Sequence, residues 1–199
     1  MEKKWRLVCV GNQVKTFGLF PTHISHFNHA NILNFTDSNT GLKVRPQFDT
    51  VDQMNEYMMD MWNETVAPGD TIYHLGDVVY GDDSQEWMKK NWNKLNGSKR
   101  LIVGNHDDIK FLSPGGFFKK VYMWRMFPEH RLLLSHVPLH SSSLERGAPG
   151  QGINMLNVHG HIHQNSSPEG PYYNVSVENI AYTPVNIEDL AEKARMTLK

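Results

Sequence analysis

Eleven of the 199 residues are histidine, and several of them fall in short polar stretches together with carboxylates and amides. Asp77 closes "GD"; Asn105, His106 and Asp107 form "GNHD"; His136 follows Ser135; His161 and His163 lie in "HGHIH". A further stretch, "HISHFNHANI", carries His23, His26 and His29 but no acid in its ten residues. Imidazole nitrogen mixed with carboxylate and amide oxygen is a donor set for Mn, Fe, Zn or Ni. Ca or Mg alone would ask for mostly oxygen, and a structural Zn for cysteine. Each stretch alone is weak evidence, since Gly-Asp is usually a turn and a surface histidine usually only that. Together they are hard to assign to packing.

Such residues need rigid elements behind them, and the chain supplies a repeated pattern. Short apolar runs, "TIYHL", "RLIV", "RLLL" and "MLNV", each precede one of the polar stretches, which reads as a buried strand delivering a loop. Residues 49–66 place Val51, Met54, Met58, Met61 and Thr65 at helical spacing behind an Asp cap, and Pro68-Gly69 ends the helix. A second helix is expected over "SQEWMKKNWNKL", with Trp87, Met88, Trp92 and Leu95 inward and Gly97 closing it. "YYNVSV" predicts a strand, and the final helix is capped by Asn186. Residues 141–152, "SSSLERGAPGQG", predict a mobile surface loop that could act as a lid. Strands alternating with helices and with function at strand ends indicate an α/β fold.

Composition narrows the classes. The length suits one domain, 1–199, and 39% hydrophobic with 21% charged residues is an ordinary globular balance. A net charge of −1 offers no field for general nucleic-acid binding or a membrane surface. The single cysteine allows no intrachain disulfide, and the start of the chain is unlike a signal peptide, so a cytoplasmic location is expected. No segment is long and apolar enough to span a membrane.

The ordered blocks "GD", "GNHD", "SH" and "GHIH" resemble those of the calcineurin-like metallophosphoesterases. "HFNHANI", "PGDTIYHLGDVVYG", "SHVPLH" and "NVSVENIAYTPVNIEDL" are similar to small, single-domain bacterial and phage members. The resemblance implies a four-layer α/β sandwich, two mixed sheets flanked by helices, and a phosphoester hydrolase with two divalent transition-metal ions, Mn among the candidates. By the same resemblance Asp77 would bridge both ions. Asn105, His136 and His161 would hold the second, and His26 and His163 the first. His106 would donate a proton to the leaving oxygen, oriented by Asp107, while His29, Asn31 and His140 would meet the substrate, a small phosphodiester such as a nucleotide.

One block departs from the family. Ile24 stands where the first-metal Asp belongs, and Pro21 falls in what should be a central strand. Either His23 substitutes, or the first site is weak or empty, or the segment supplies nothing; a weakened first site with a secure second one is the expectation carried forward. Loss of that acid also suits a scaffold of the same fold, against which His106 and Asp107 stand, and a phosphomonoesterase would differ only in pocket contacts. His74 and His159 are expected as buried structural residues, and His130 in solvent.

Overall fold

The computed structural model describes residues 18–22, 25–146 and 153–198. Four strands, β1 (Leu19–Thr22), β2 (Thr71–His74), β3 (Ser98–Ile102) and β4 (Lys120–Tyr122), pair in that order and run parallel throughout. A second sheet takes β5 (Trp124–Phe127), β6 (Leu132–Ser135), β9 (Leu156–His159) and β10 (Tyr172–Asn174), in the order β10-β9-β6-β5 with only β5 antiparallel. Parallel neighbours need crossovers. In the first sheet these contain α1 (Val51–Thr65), α2 (Ser84–Asn91) and the short α3 (Ile109–Leu112); α4 (Ile187–Thr197) ends the chain. The result is the α/β arrangement of two sheets and several helices that the resemblance implies.

Period-two alternation along the strands sorts the core. From β2 and β3, Ile72 and Leu101 face Met54, Met58 and Trp62 of α1 and Met88 of α2, with Trp92 and Leu95 beyond it. Tyr73, Leu75 and Ile102 face the other way, onto Leu132, Leu134, Leu156 and Val158 of the second sheet. Ile187, Leu190 and Ala194 of α4 close the same inter-sheet core. Each such side chain contributes roughly 1.5–3 kcal/mol by leaving water. The far face of the second sheet buries Leu133 with Leu144 and Met155.

Local chemistry sets the ends. Thr50, one residue after the Asp49 expected as cap, accepts the Gln53 N–H at 3.2 Å, and Gln53 Oε1 in return accepts the Asp49 N–H at 3.0 Å. Of residues 141–152, expected as a mobile surface loop, 141–146 are described and carry regular elements. Ser141–Ser143 form a 3-10 turn, and β7 (Glu145–Arg146) pairs with β8 (Ile153–Asn154) while Leu144 anchors the hairpin in the core; residues 147–152 lie outside the described residues. The strand predicted over "YYNVSV" ends at Asn174, because that side chain accepts the Ser176 N–H at 2.9 Å and donates to the His163 carbonyl at 2.7 Å. Pro21 sits in the outermost strand of its sheet among the described residues, where a missing donor is tolerated. His130, expected in solvent, is half-buried beside Phe127. Among the described residues no helix is long and apolar enough to cross a membrane.

Candidate metal centre and active site

Because β2, β3, β6 and β9 all run the same way within their sheets, the loops that leave them carry the polar blocks to a common place. The approach is close. A Cβ on Gly76 would lie 2.4 Å from the Gly104 nitrogen, and one on Gly104 would lie 2.3 Å from Asp77 Oδ1. Glycine at both positions is what lets the two turns touch and leaves room for the Asp77 carboxylate.

Four of the expected second-metal residues meet there. His136 Nδ1–H donates to the Leu75 carbonyl at 2.7 Å, which turns Nε2 towards Asn105 Oδ1 at 2.9 Å, His161 Nδ1 at 3.2 Å and Asp77 Oδ2 at 3.4 Å. One ligand-capable atom from each of Asp77, His136 and His161 lies within 4.8 Å of the others. Each of these atoms can present a lone pair, so the cluster suits a positive charge at its centre. The titration behaviour agrees. Burial disfavours a charged His136, yet the hydrogen bond and charge of Asp77 raise its pKa above the ordinary value. Burial likewise pushes Asp77 up, but His136, the His106 N–H and His26 outweigh it and hold the carboxyl at about 2. A proton meets that demand in part, and a divalent transition metal, suited to two imidazoles, a carboxylate and an amide oxygen, meets it fully.

Asp77 also faces the expected first-metal residues. Its Oδ2 is 3.6 Å from His26 Nε2, and the His26 ring stacks on that of His163 with centroids 5.1 Å apart. His163 Nδ1 lies 3.2 Å from Glu178 Oε1, leaving Nε2 as its free nitrogen. Ile24 and His23, on which the question of the missing acid turns, lie outside the described residues.

Four of these side chains stand on unusual backbone. His26, Asp77, His161 and His163 have φ of 46°, 49°, 68° and 53°, in the left-handed region that disfavours residues with a Cβ. Surrounding bonds hold them there: the His26 N–H donates to the Asp77 carbonyl at 3.0 Å, and the His163 carbonyl accepts from both Asn174 and Asn179. Strain of this kind collects where function fixes a geometry that packing alone would not choose.

The remaining candidates divide. His106 is exposed, its ring edge-on to Tyr80 at 5.2 Å, and its backbone N–H donates to Asp77 Oδ1 at 2.8 Å. Asp107, expected to orient that ring, is instead committed to backbone: Oδ2 accepts from Gly104 at 2.8 Å and Asp77 at 3.1 Å, and Oδ1 from Val78 at 2.9 Å. It staples the "GNHD" turn to the "GD" turn. His29 is buried, stacked on Tyr80 at 4.2 Å and edge-on to His26 at 5.4 Å. Asn31 is exposed on the following 3-10 turn. His140 is exposed and caps the turn at Ser141–Ser143.

His74 and His159 are fully buried and hydrogen-bonded, as expected of structural histidines. His74 accepts the Gly76 N–H at 3.2 Å and bonds Ser25 Oγ at 2.6 Å, bracing the chain on either side of Asp77 and His26. Sequence reasoning gave no role to Tyr80, Arg45 or Glu178. Glu178 follows a strand-like run just as the recognised blocks do, and that was the available signal; Arg45 in "GLKVRPQF" is indistinguishable from a surface arginine.

Comparison with known proteins is consistent with this architecture. The sequence profile of the calcineurin-like phosphoesterases matches residues 30–193. An uncharacterized protein of Methanocaldococcus jannaschii is 31% identical over 86% of this chain and 90% of its own. The gene 66 protein of Mycobacterium phage L5 is 31% identical over 33% of this chain and 32% of its own. A crystal structure of a protein of unknown function from Aquifex aeolicus superposes with a TM-score of 0.63 at 27% identity, covering 89% of this chain and all (100%) of that one. With the profile spanning most of the chain and the Methanocaldococcus jannaschii relative matching along 90% of its own length, the protein belongs to the calcineurin-like phosphoesterase family and is a metal-dependent phosphoester hydrolase.

Proposed function

We propose that the protein hydrolyses a small phosphodiester, nucleotide-like in size, with two divalent transition-metal ions drawn from Mn, Fe, Zn and Ni. Asp77, Asn105, His136 and His161 would hold one ion, and His26, His163 and the shared Asp77 the other. The observation that carries this reading is the meeting of Asp77 Oδ2, His136 Nε2, His161 Nδ1 and Asn105 Oδ1, four atoms each able to present a lone pair to a cation when His136 Nδ1–H donates to Leu75. Ions held by these residues would bind the phosphoryl oxygens and lower the pKa of a water to make it a nucleophile.

The side chains then have separate tasks. His106, tied through its N–H to Asp77 and braced by Tyr80, presents its imidazole to the leaving oxygen and donates a proton there. His29 lies edge-on to His26; it and the exposed Asn31 and His140 are the candidate substrate contacts. Ile24 in place of the first-block acid leaves the ion at His26 and His163 with half a carboxylate, so it is the weaker of the two.

A diester is favoured over a monoester by what lies next to His163. A cavity of about 410 Å³ is lined there by Asn34, Phe35, Thr36, Val44, Gln164 and Asn165. Phe35 is 46% exposed. This lining has room and contact surface for an organic group on the far side of the phosphorus, and among the described residues it holds no Lys or Arg to meet the extra charge of a monoester. The test is hydrolysis of bis-p-nitrophenyl phosphate against p-nitrophenyl phosphate with Mn²⁺ supplied. Faster turnover of the diester is expected; a preference for the monoester would replace the diester reading, and hydrolysis of neither would replace the catalytic one.

A further inference from the structure

Arg45 and Glu178 form a buried ion pair that the reaction outlined above does not use. Arg45 is fully buried and the side chain of Glu178 is 4% exposed. Charges are costly to bury, and such a pair contributes little to stability over an apolar replacement, so its retention calls for a reason. The geometry is also uneven. Arg45 Nε at 3.0 Å and Nη2 at 2.8 Å both donate to Glu178 Oε1, the same oxygen that lies 3.2 Å from His163 Nδ1, while Oε2 is buried without a partner among the described residues. A pair built only for mutual satisfaction would spread the guanidinium fork over both oxygens. Here one oxygen gathers three donors and is thereby pinned against His163.

The same arginine reaches the other histidine of this pair. Arg45 Nη1 donates to the Ser25 carbonyl at 3.3 Å, one residue before His26. Among the described residues His26 Nδ1 is buried without a partner, and of the two stacked rings only His163 has there a protein acceptor that fixes which nitrogen carries the hydrogen.

We propose that Glu178, held by Arg45, is a positioning residue for the first metal site: it fixes His163 as the Nδ1–H tautomer with Nε2 presented to the ion, and so secures a site whose own block lacks an acid. The inference rests on the assignment of His163 to the first metal. Acceptors behind ligating histidines orient the ring and raise its basicity, and their loss typically weakens metal binding about 10–100-fold. The charge of Glu178 is balanced by Arg45, so the contribution is orientation and donor strength rather than net charge at the ion.

The experiment is Mn²⁺ titration of the chelator-stripped full chain, followed by calorimetry and by electron paramagnetic resonance of the bound ion. The wild type, His163→Ala, Glu178→Gln and the double variant Glu178→Leu/Arg45→Met are compared. The double variant removes both buried charges and keeps the test valid if Glu178→Gln fails to fold around an unpaired arginine. Two sites are expected in the wild type, with His163→Ala abolishing the weaker. Both Glu178 variants are expected to weaken that same site about 10–100-fold and leave the tighter one unchanged. If His163→Ala leaves both sites intact, the assignment of the first metal fails and the proposal with it. If His163→Ala removes a site but the Glu178 variants bind as wild type, or lose both sites equally, the positioning role alone is overturned.

Discussion

Oδ2 of Asp107 accepts the backbone N–H of Asp77 at 3.1 Å, so the carboxylate at the centre of the site is aimed by the residue next to the expected proton donor. With Gly104 and Val78 also donating to it, Asp107 satisfies three backbone N–H groups that would otherwise lose their acceptor. Burial raises its pKa, opposed by these same backbone bonds.

Asp107→Ala is therefore expected to destabilise the protein by on the order of 3 kcal/mol and to weaken metal binding through Asp77. Asp107→Asn, which keeps one oxygen acceptor, should fall between. Urea unfolding and metal titration measure both effects. Unchanged stability together with an altered dependence on leaving group would return Asp107 to orienting His106.

His106→Ala should leave metal content nearly unchanged while lowering turnover by about 10²–10⁴. The loss should shrink for diesters whose leaving groups are already acidic, because those need no proton. A series of aryl phosphodiesters of graded leaving-group pKa reads this directly, and an equal loss across the series would assign His106 a structural role.

Position 161 should reverse the usual order of glycine and alanine. With φ at 68°, His161→Gly relieves a backbone cost that His161→Ala keeps, and both remove the imidazole. The metal-free glycine variant is expected to be more stable than the alanine variant by about 1 kcal/mol. Equal denaturation midpoints would mean that the left-handed turn is unstrained.

Acid should destabilise the metal-free protein. Burial lowers His26 to about 2, His29 to about 4 and His74 to about 3, below the ordinary value near 6.5. As pH falls through 6.5 the unfolded chain binds protons that the folded chain refuses, so each group removes stability at about 1.4 kcal/mol per pH unit until its folded pKa is reached. His136 has the opposite sign, since its raised pKa gives stability that is complete below 6.5 and is lost only as pH rises through its folded value. Urea unfolding at pH 7 and pH 5 should thus show a clear fall, and a flat profile would mean that these rings are protonated in the folded state.

The blocks "GD", "GNHD", "SH" and "HGHIH" were legible because each follows a short apolar run, and the continuous burial of Leu132 to Ser135 and of Leu156 to His159, with Leu132 and Leu134 packing on one face and Leu133 on the other, bears that grammar out. Other features were not. β4 and β5 carry exposed Val121 and Trp124 among charged residues, with exposed Met123 between them, so no alternation marks them as strands. The end of β10 depended on one side chain, Asn174, choosing backbone partners over continued pairing. Arg45 and Glu178 are bonded to one another across 133 residues of sequence, and nothing local announces a contact of that range. Tyr80 follows "GDVV" with no periodic signal, and only the fold brings its ring to His29 and His106.

The measurement that bears most directly on the account is elemental analysis of purified wild type, Asp77→Ala and His161→Ala, paired with circular dichroism to establish that each is folded. The cluster of Asp77, His136 and His161 predicts at least one divalent transition-metal ion per wild-type chain and a clear loss in both variants. Full retention of metal by folded Asp77→Ala and His161→Ala would contradict the site.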